Sequence, residues 1–244
     1  MATRLSHLVI DAAHPPALAR FWAAALGWQV TFEDPDEVVV EPAGDTGPDG
    51  QVALVFVPVI DPKVGKNRVH LDLASTSDAD QAAQADRLRS LGARPVDVGQ
   101  GDVPWIVLAD PEGNELCVLE PRPVYAGTGP VAAIVLDTED PAALAPFWAA
   151  ATGWTITGED HSAVSLRRPE GTGPYLELLP VGDPHTTKNR VHIDVAPYPD
   201  DDHTTEVDRL IDLGARRIDI GQGDVRWIVL ADPEDNELCV LTPR

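Results

Sequence analysis

Two histidines carry the clearest chemical potential in this sequence. His70 and His192 stand in Arg68-Val69-His70-Leu71-Asp72 and Arg190-Val191-His192-Ile193-Asp194, each two residues before an aspartate. In an extended strand that spacing puts imidazole and carboxylate on one face. The aspartate then either orients the imidazole from behind, as carboxylates do for metal-bound histidines, or forms a structural ion pair with Arg68 or Arg190 on the same face. His7, on a short β-rich run, reads as a hydrogen-bonded structural histidine or as a ligand. Cys117 and Cys239 each follow a glutamate, Glu115 and Glu237, by two residues. If that strand face lines a cavity, Glu115 or Glu237 could act as general base; the alternative is a solvated strand-end carboxylate. The cysteines themselves behave as small buried hydrophobes unless recruited as ligands. Trp105 and Trp227 are placed to stack on a planar ligand, with Arg68 and Arg190 as its cationic contacts, whereas Trp22 and Trp148 fall on helices and read as core. The stretches Val98-Gly99-Gln100-Gly101-Asp102 and Ile220-Gly221-Gln222-Gly223-Asp224 are glycine-rich, but no helix N-terminus follows, so they lack the geometry of a phosphate loop. They read as turns able to close over a pocket. Asp110-Pro-Glu112 and Asp232-Pro-Glu234 shape turns.

These residues come in pairs because the chain is written twice. Phe21-Trp22-Ala-Ala-Ala-Leu-Gly27-Trp28 recurs as Phe147-Trp148-Ala-Ala-Ala-Thr-Gly153-Trp154, and Asp97 to Leu119 recurs from Asp219 to Leu241 with only three changes. Repeats of about 120 residues are too long for solenoid units and long enough to bury a core each. The expected organisation is a first domain over residues 1–122, a Pro/Gly-rich linker over 123–130 and a second domain over 131–244. The loop from Glu41 to Gln51 is longer than its counterpart between Arg167 and Tyr175.

Within a copy, Leu18, Phe21, Trp22 and Ala25 repeat at helical spacing between Pro15 and Gly27. Ser77 with Asp80 opens a second helix, closed by Gly92. Strands are predicted at His7–Asp11, Trp28–Phe32, Glu37–Val40, Val52–Val57, Arg68–Leu73, Arg94–Val98, Trp105–Ala109 and Glu115–Leu119. Each copy is therefore two βαβββ modules, and the chain holds four: an α+β protein. In the second copy Asp140 caps ahead of Pro141, and Asp200-Asp201-Asp202 favours the start of the last helix.

Composition bounds the partners. Across 244 residues, 18 Lys+Arg face 40 Asp+Glu, a net charge of −22. Such a chain does not bind nucleic acid through phosphates or dock on an anionic membrane. It favours a neutral or cationic small-molecule ligand. A hydrophobic fraction of 43% and two cysteines fit an ordinary globular protein without a disulfide framework. The absence of an apolar run long enough to span a bilayer and of a secretory signal leads to the expectation of a soluble, cytoplasmic protein, either a monomer built as a pseudo-dimer or a homodimer.

A strand opening with His7, a helix bearing Phe21-Trp22 and ending Leu-Gly-Trp, then Asn67-Arg-Val-His-Leu-Asp72 and Asp110-Pro-Glu-Gly-Asn-Glu-Leu-Cys-Val-Leu119 together resemble the glyoxalase/bleomycin-resistance/dioxygenase superfamily, the vicinal oxygen chelate proteins. The resemblance covers both halves. It implies two tandem glyoxalase/bleomycin-resistance-like domains whose paired modules surround a cavity. In metal-dependent members, the first and fourth strand of each module supply one ligand each. In this chain those positions hold His7, Val55, His70 and Cys117, then Ala133, Glu177, His192 and Cys239. If modules pair within a copy, the ligand sets are His7, His70, Cys117 and Glu177, His192, Cys239. If they pair across copies, the sets are His7, His192, Cys239 and Glu177, His70, Cys117. Three such ligands and an open position suit a divalent metal (zinc, nickel, iron or manganese); the incomplete sets equally suit a protein without metal. The resemblance implies lyase or isomerase chemistry, or metal-free antibiotic binding of the bleomycin-resistance type, or, as a third alternative, ring-cleaving dioxygenation. A further alternative has one copy binding ligand while the other is scaffold.

Overall fold

The computed structural model describes residues 3–42, 50–159, 163–181 and 185–244; residues 43–49 of the longer loop lie outside them. The first module contains β1 (Thr3–Ala12), α1 (Pro15–Leu26), β2 (Gln29–Glu33), β3 (Val38–Glu41) and β4 (Ala53–Pro58). The second contains β5 (Val69–Leu73), α2 (Asp78–Ser90), β6 (Arg94–Pro95), β7 (Ile106–Ala109) and β8 (Glu115–Val118). A 3-10 turn at Pro123–Tyr125 leads to the third: β9 (Val131–Thr138), α3 (Pro141–Thr152), β10 (Thr155–Glu159), β11 (Val164–Arg167) and β12 (Tyr175–Pro180). The fourth contains β13 (Val191–Pro197), α4 (His203–Asp212), β14 (Arg216–Arg217), β15 (Ile228–Ala231) and β16 (Glu237–Val240).

The helices begin and end where local chemistry dictates. The Ser77 hydroxyl accepts from Asp80 N at 3.1 Å, and Asp140 and Asp202 accept from Ala143 N and Thr205 N at 3.1 and 2.8 Å. These side chains satisfy amides that the first turn leaves without a partner. Helix α1 stops at Gly27, whose φ of 70° closes the last turn onto Ala23 O, a conformation that favours glycine. Of the predicted strands, Arg94–Val98 is the one most shortened. It pairs only at Arg94 and Pro95, because the chain turns out into the glycine loop, where Gly99 takes φ 79° and its amide bonds Asp97 Oδ1.

The modules pair across the copies. The first sheet runs β14-β15-β16-β13-β1-β4-β3-β2 and the second β10-β11-β12-β9-β5-β8-β7-β6. Each sheet thus joins one module from each copy, through the antiparallel pairs β1–β13 and β5–β9. Both sheets turn one face into a shared core with the helices. Leu8, Ile10, Leu54, Leu71, Ile134, Leu136, Ile193 and Leu238 enter it beside Phe21, Trp22, Phe147 and Trp148. A fully buried apolar side chain contributes about 1.5–3 kcal/mol, so this layer holds the strands in register. Trp22 and Trp148 each spend their indole N–H on a buried aspartate, Asp110 at 3.2 Å and Asp232 at 3.0 Å. Both aspartates also accept from the backbone of their own turns.

Candidate functional site

Alternation along the strands sorts the site from the core, since neighbouring side chains point to opposite faces. With Leu71 and Ile193 inward, His70, Asp72, His192 and Asp194 share the other face. Strand register places them in rows. In the second sheet, Tyr175, Ala133, Asp72 and Cys117 stand side by side, next to a row of Glu177, Val135 and His70. In the first sheet, the equivalent rows are Ala53, His7, Asp194 and Cys239, then Val55, Val9 and His192. Of the two ligand sets open to the sequence, the across-copy grouping is the one that shares a sheet face.

Each sheet gathers one histidine, one aspartate and one cysteine. His70, Asp72 and Cys117, like His192, Asp194 and Cys239, offer ligand atoms that all lie within 4.8 Å of one another, and all six residues are buried. His70 Nε2 is 3.4 Å from Asp72 Oδ1. His192 Nε2 is 3.3 Å from Asp194 Oδ1 and 3.5 Å from Cys239 Sγ. Asp72 Oδ1, Asp194 Oδ1 and His70 Nδ1 are buried without a hydrogen-bond partner, a condition that costs about 1–3 kcal/mol per group. Burial, followed by the charge of Asp72, pushes the Cys117 thiol far above its usual range; burial and Asp194 do the same to Cys239. Both thiols are therefore protonated at neutral pH.

The two sites differ beside these triads. In the first sheet, His7 neighbours Asp194. Burial lowers its pKa against the opposing pull of Asp194, favouring the neutral imidazole. Val55 stands where the second sheet has Glu177. Burial raises the pKa of Glu177, and its Oε1 accepts the Tyr125 hydroxyl at 2.8 Å.

Glu115 and Glu237 share the triad face but are already engaged. Lys63 Nζ and Asn67 N donate to Glu115 at 2.8 and 3.2 Å. Asn189 N donates to Glu237 at 3.0 Å, and His185 Nε2 lies 3.3 Å away. Burial would raise Glu237, yet the nearby His185 and the bond from Asn189 N outweigh that and hold it below the usual range. Arg68 and Arg190 do not pair with Asp72 and Asp194, as one reading of their spacing had it. Arg68 reaches Asn236 Oδ1 at 2.9 Å and Glu234 at 3.4 Å; Arg190 reaches Glu112 at 3.1 Å and Asp61 O at 2.8 Å. The glutamates accept because they also cap the opening turns of α1 and α3, from Ala13 N and His14 N and from Glu139 N and Asp140 N. Lys66 pairs with Asp137 and Lys188 with Asp11. These four ion pairs all run between the copies. They border a cavity of about 620 Å³ that takes in all three lysines of the chain with Arg68, His185 and Arg190.

Trp105 is half-buried, with its indole N–H on Gln100 Oε1 at 2.9 Å and the Arg122 guanidinium 5.7 Å from its ring. Trp227 is 39% exposed, and Gln222 bonds Ile220 N instead. The sequence reading missed Tyr125, which lay in the segment read as a linker. It saw Asp72 and Asp194 only as orienting or ion-paired groups, although their same-face spacing with the histidines already placed them at the ligand atoms.

The comparisons agree with this architecture. Glyoxalase I from Zea mays superposes with a TM-score of 0.67 at 16% identity, over 99% of this chain and 92% of that one. A putative dioxygenase from Bacillus subtilis subsp. subtilis superposes with a TM-score of 0.64 at 16% identity, over 99% and 85%. At such identities the likeness shows the fold. No curated protein matches the sequence. Among the described residues no helix is long and apolar enough to cross a membrane. The glyoxalase-like domain family matches residues 7–119 and again 133–241; with its four βαβββ modules and two eight-stranded sheets, the chain belongs to that family as two tandem glyoxalase-like domains of the vicinal oxygen chelate fold.

Proposed function

We propose that this protein performs metal-assisted lyase or isomerase chemistry on a small molecule at the His70–Asp72–Cys117 and His192–Asp194–Cys239 clusters. The observation that carries the reading is the convergence of three unlike donors, nitrogen, oxygen and sulfur, at equivalent places in both sheets, with buried carboxylate oxygens lacking any hydrogen-bond partner. A thiol–imidazole nucleophile fits less well. Such a relay needs the thiol on one ring nitrogen and the carboxylate on the other, whereas His192 Nε2 faces both. The mixed donor set suits zinc, nickel, iron or manganese. When bound, such an ion supplies Lewis acidity toward a substrate carbonyl and stabilises the charge of an enediolate.

The protein's own groups do the rest. His7 and Glu177 are the remaining donors beside the triads. Glu177, its proton affinity raised by burial, is suited to carry a proton to and from carbon. We assign that role to Glu177 rather than to Glu115 or Glu237, whose oxygens hold the segments leading into β5 and β13. Trp105 and Trp227 flank the two faces as stacking surfaces for a planar ligand.

Elemental analysis of protein purified without chelators, and of stripped protein reloaded with each of the four ions, tests the reading. Up to one ion per cluster is expected, lost on His70→Ala and His192→Ala respectively. Metal-free protein that takes up no ion under any condition overturns it. A second reading draws on the burial that keeps both thiols protonated, a state that needs no metal. On that reading the protein sequesters a neutral or cationic drug of the bleomycin type, and such a drug raises the melting temperature of metal-free protein.

A further inference from the structure

The segment between the copies reaches into the second sheet's site. Tyr125, at the end of the 3-10 turn, is 7% exposed. It packs among Cys117, Ala133, Val135 and Tyr175 on the triad face, its ring edge-on to Tyr175 at 5.8 Å. Arg122 lies over both the Trp105 and Tyr125 rings, at 5.7 and 5.9 Å. The backbone is pinned as well. The Thr128 hydroxyl donates to Tyr125 O at 3.0 Å, and Gln51 donates to Thr128 O at 2.7 Å. These contacts hold the segment down as a strap, and its terminal hydroxyl is spent on Glu177.

Glu177 stands two strands from His70, with Val135 of β9 between them. Adjacent strands lie about 4.8 Å apart, so the two backbones are separated by about 10 Å, and a glutamate must lean along the row to join the cluster. Held by Tyr125, its carboxylate stays outside the set of donors within 4.8 Å of one another. It nevertheless feels both Asp72 and His70 electrostatically. In the first sheet the corresponding position is Val55, so nothing there can be latched in this way.

We propose that Tyr125 is a positioning residue that latches Glu177 away from His70, Asp72 and Cys117, and that lifting the Pro121–Tyr125 strap lets Glu177 complete that donor set. The second sheet's site then has a resting three-donor state and a completed four-donor state, while the first sheet's site has a single state. The inference rests on the metal reading above.

The test is a cobalt(II) titration of the full-length Cys239→Ser protein, in which Cys117 is the sole thiol, followed through the thiolate-to-cobalt charge-transfer band. Tyr125→Phe keeps the ring and removes the latch. It is expected to bind cobalt about tenfold more tightly or better, within the range by which hydrogen-bond partners tune metal sites, and adding Glu177→Gln is expected to cancel the gain. Unchanged or weaker binding by Tyr125→Phe overturns the latch, because a merely supporting hydrogen bond would weaken the site when lost. If no band develops in this protein, in Tyr125→Phe or in the wild type, the metal reading is what has failed. The latch is then judged by thiol labelling of metal-free protein. Tyr125→Ala should speed modification of Cys117 while leaving Cys239, the internal control for unfolding, unchanged. Equal rates for Cys117 with and without Tyr125 overturn the strap as a cover.

Discussion

On the triad face of the first sheet, His7 and Val55 stand where the second sheet has Ala133 and Glu177, and Ala53 stands opposite Tyr175. Almost everything around these positions is the same twice. The triads, the buried tryptophan–aspartate bonds and the ion pairs between copies all come in matched sets. The contrast separates two kinds of constraint. Groups that hold the copies together must satisfy each other reciprocally, so a change in one leaves a buried partner stranded. Groups beside the triads lie on the sheet face turned away from the shared core, and there one copy can exchange an imidazole for a carboxylate without disturbing the frame.

The largest expected effect tests the sameness of the frame. Asp110→Ala and Asp232→Ala each strand an indole N–H and turn amides, and each should lower the unfolding free energy in urea by about 3 kcal/mol or more. A large inequality between them would break the equivalence of the two copies. Next come the triads: His70→Ala and His192→Ala should each remove roughly half of the bound metal, and unequal losses would point to one working site. A smaller effect should resolve the difference itself. His7→Ala is expected to weaken only the first sheet's site, by about tenfold as read by cobalt titration, while Glu177→Gln leaves the first sheet's site unchanged and, at the second, removes only the gain that Tyr125→Phe brings. Cross-effects would mean that the sites are not independent.

The most gradual effect is a slope with pH. Burial raises Asp232 from 3.8 to about 6 in the folded chain, and Asp110 is raised for the same reason. A carboxyl group that holds its proton more tightly when folded favours folding on the acid side. That contribution is lost as pH rises from about 4 to about 6, with a slope of at most about 1.4 kcal/mol per pH unit for one group. Asp232→Asn should remove its share, measured as the difference between urea midpoints of variant and wild type across that window.

Local features were legible in the sequence because local chemistry sets them. The caps at Ser77 and Asp140, the acidic start of the last helix at Asp200 to Asp202, the stop at Gly27 and the alternation through His70 and His192 all depend on neighbours a few residues away, and all recur in the structure. The pairing of modules was not legible. The same alternation in β1 serves equally well beside β5 or β13, so both groupings of ligands stood open until the register of His7 with Asp194 closed one. Arg68 and Arg190 show the same limit: spacing put each on a strand near an aspartate, but the carboxylates they reach belong to the turn of the opposite copy. Tyr125 was hidden differently. Proline and glycine around it signal a connector, and the one hint was a tyrosine within such a stretch, in a chain with only three.

The order of strands also bears on how the chain is made. The second sheet is drawn from one unbroken stretch, β5 through β12, while the first needs β1–β4 and β13–β16 from opposite ends. On a ribosome the inner sheet can close while the outer one still waits, with the β1 edge open until β13 emerges. Long-range pairing of this kind slows folding and leaves unpaired edges at risk of association. A chain ending after the first copy would carry two such edges, on β1 and β5. It should find their partners in a second molecule of itself, assembling as a true two-fold dimer where the intact protein has an internal one.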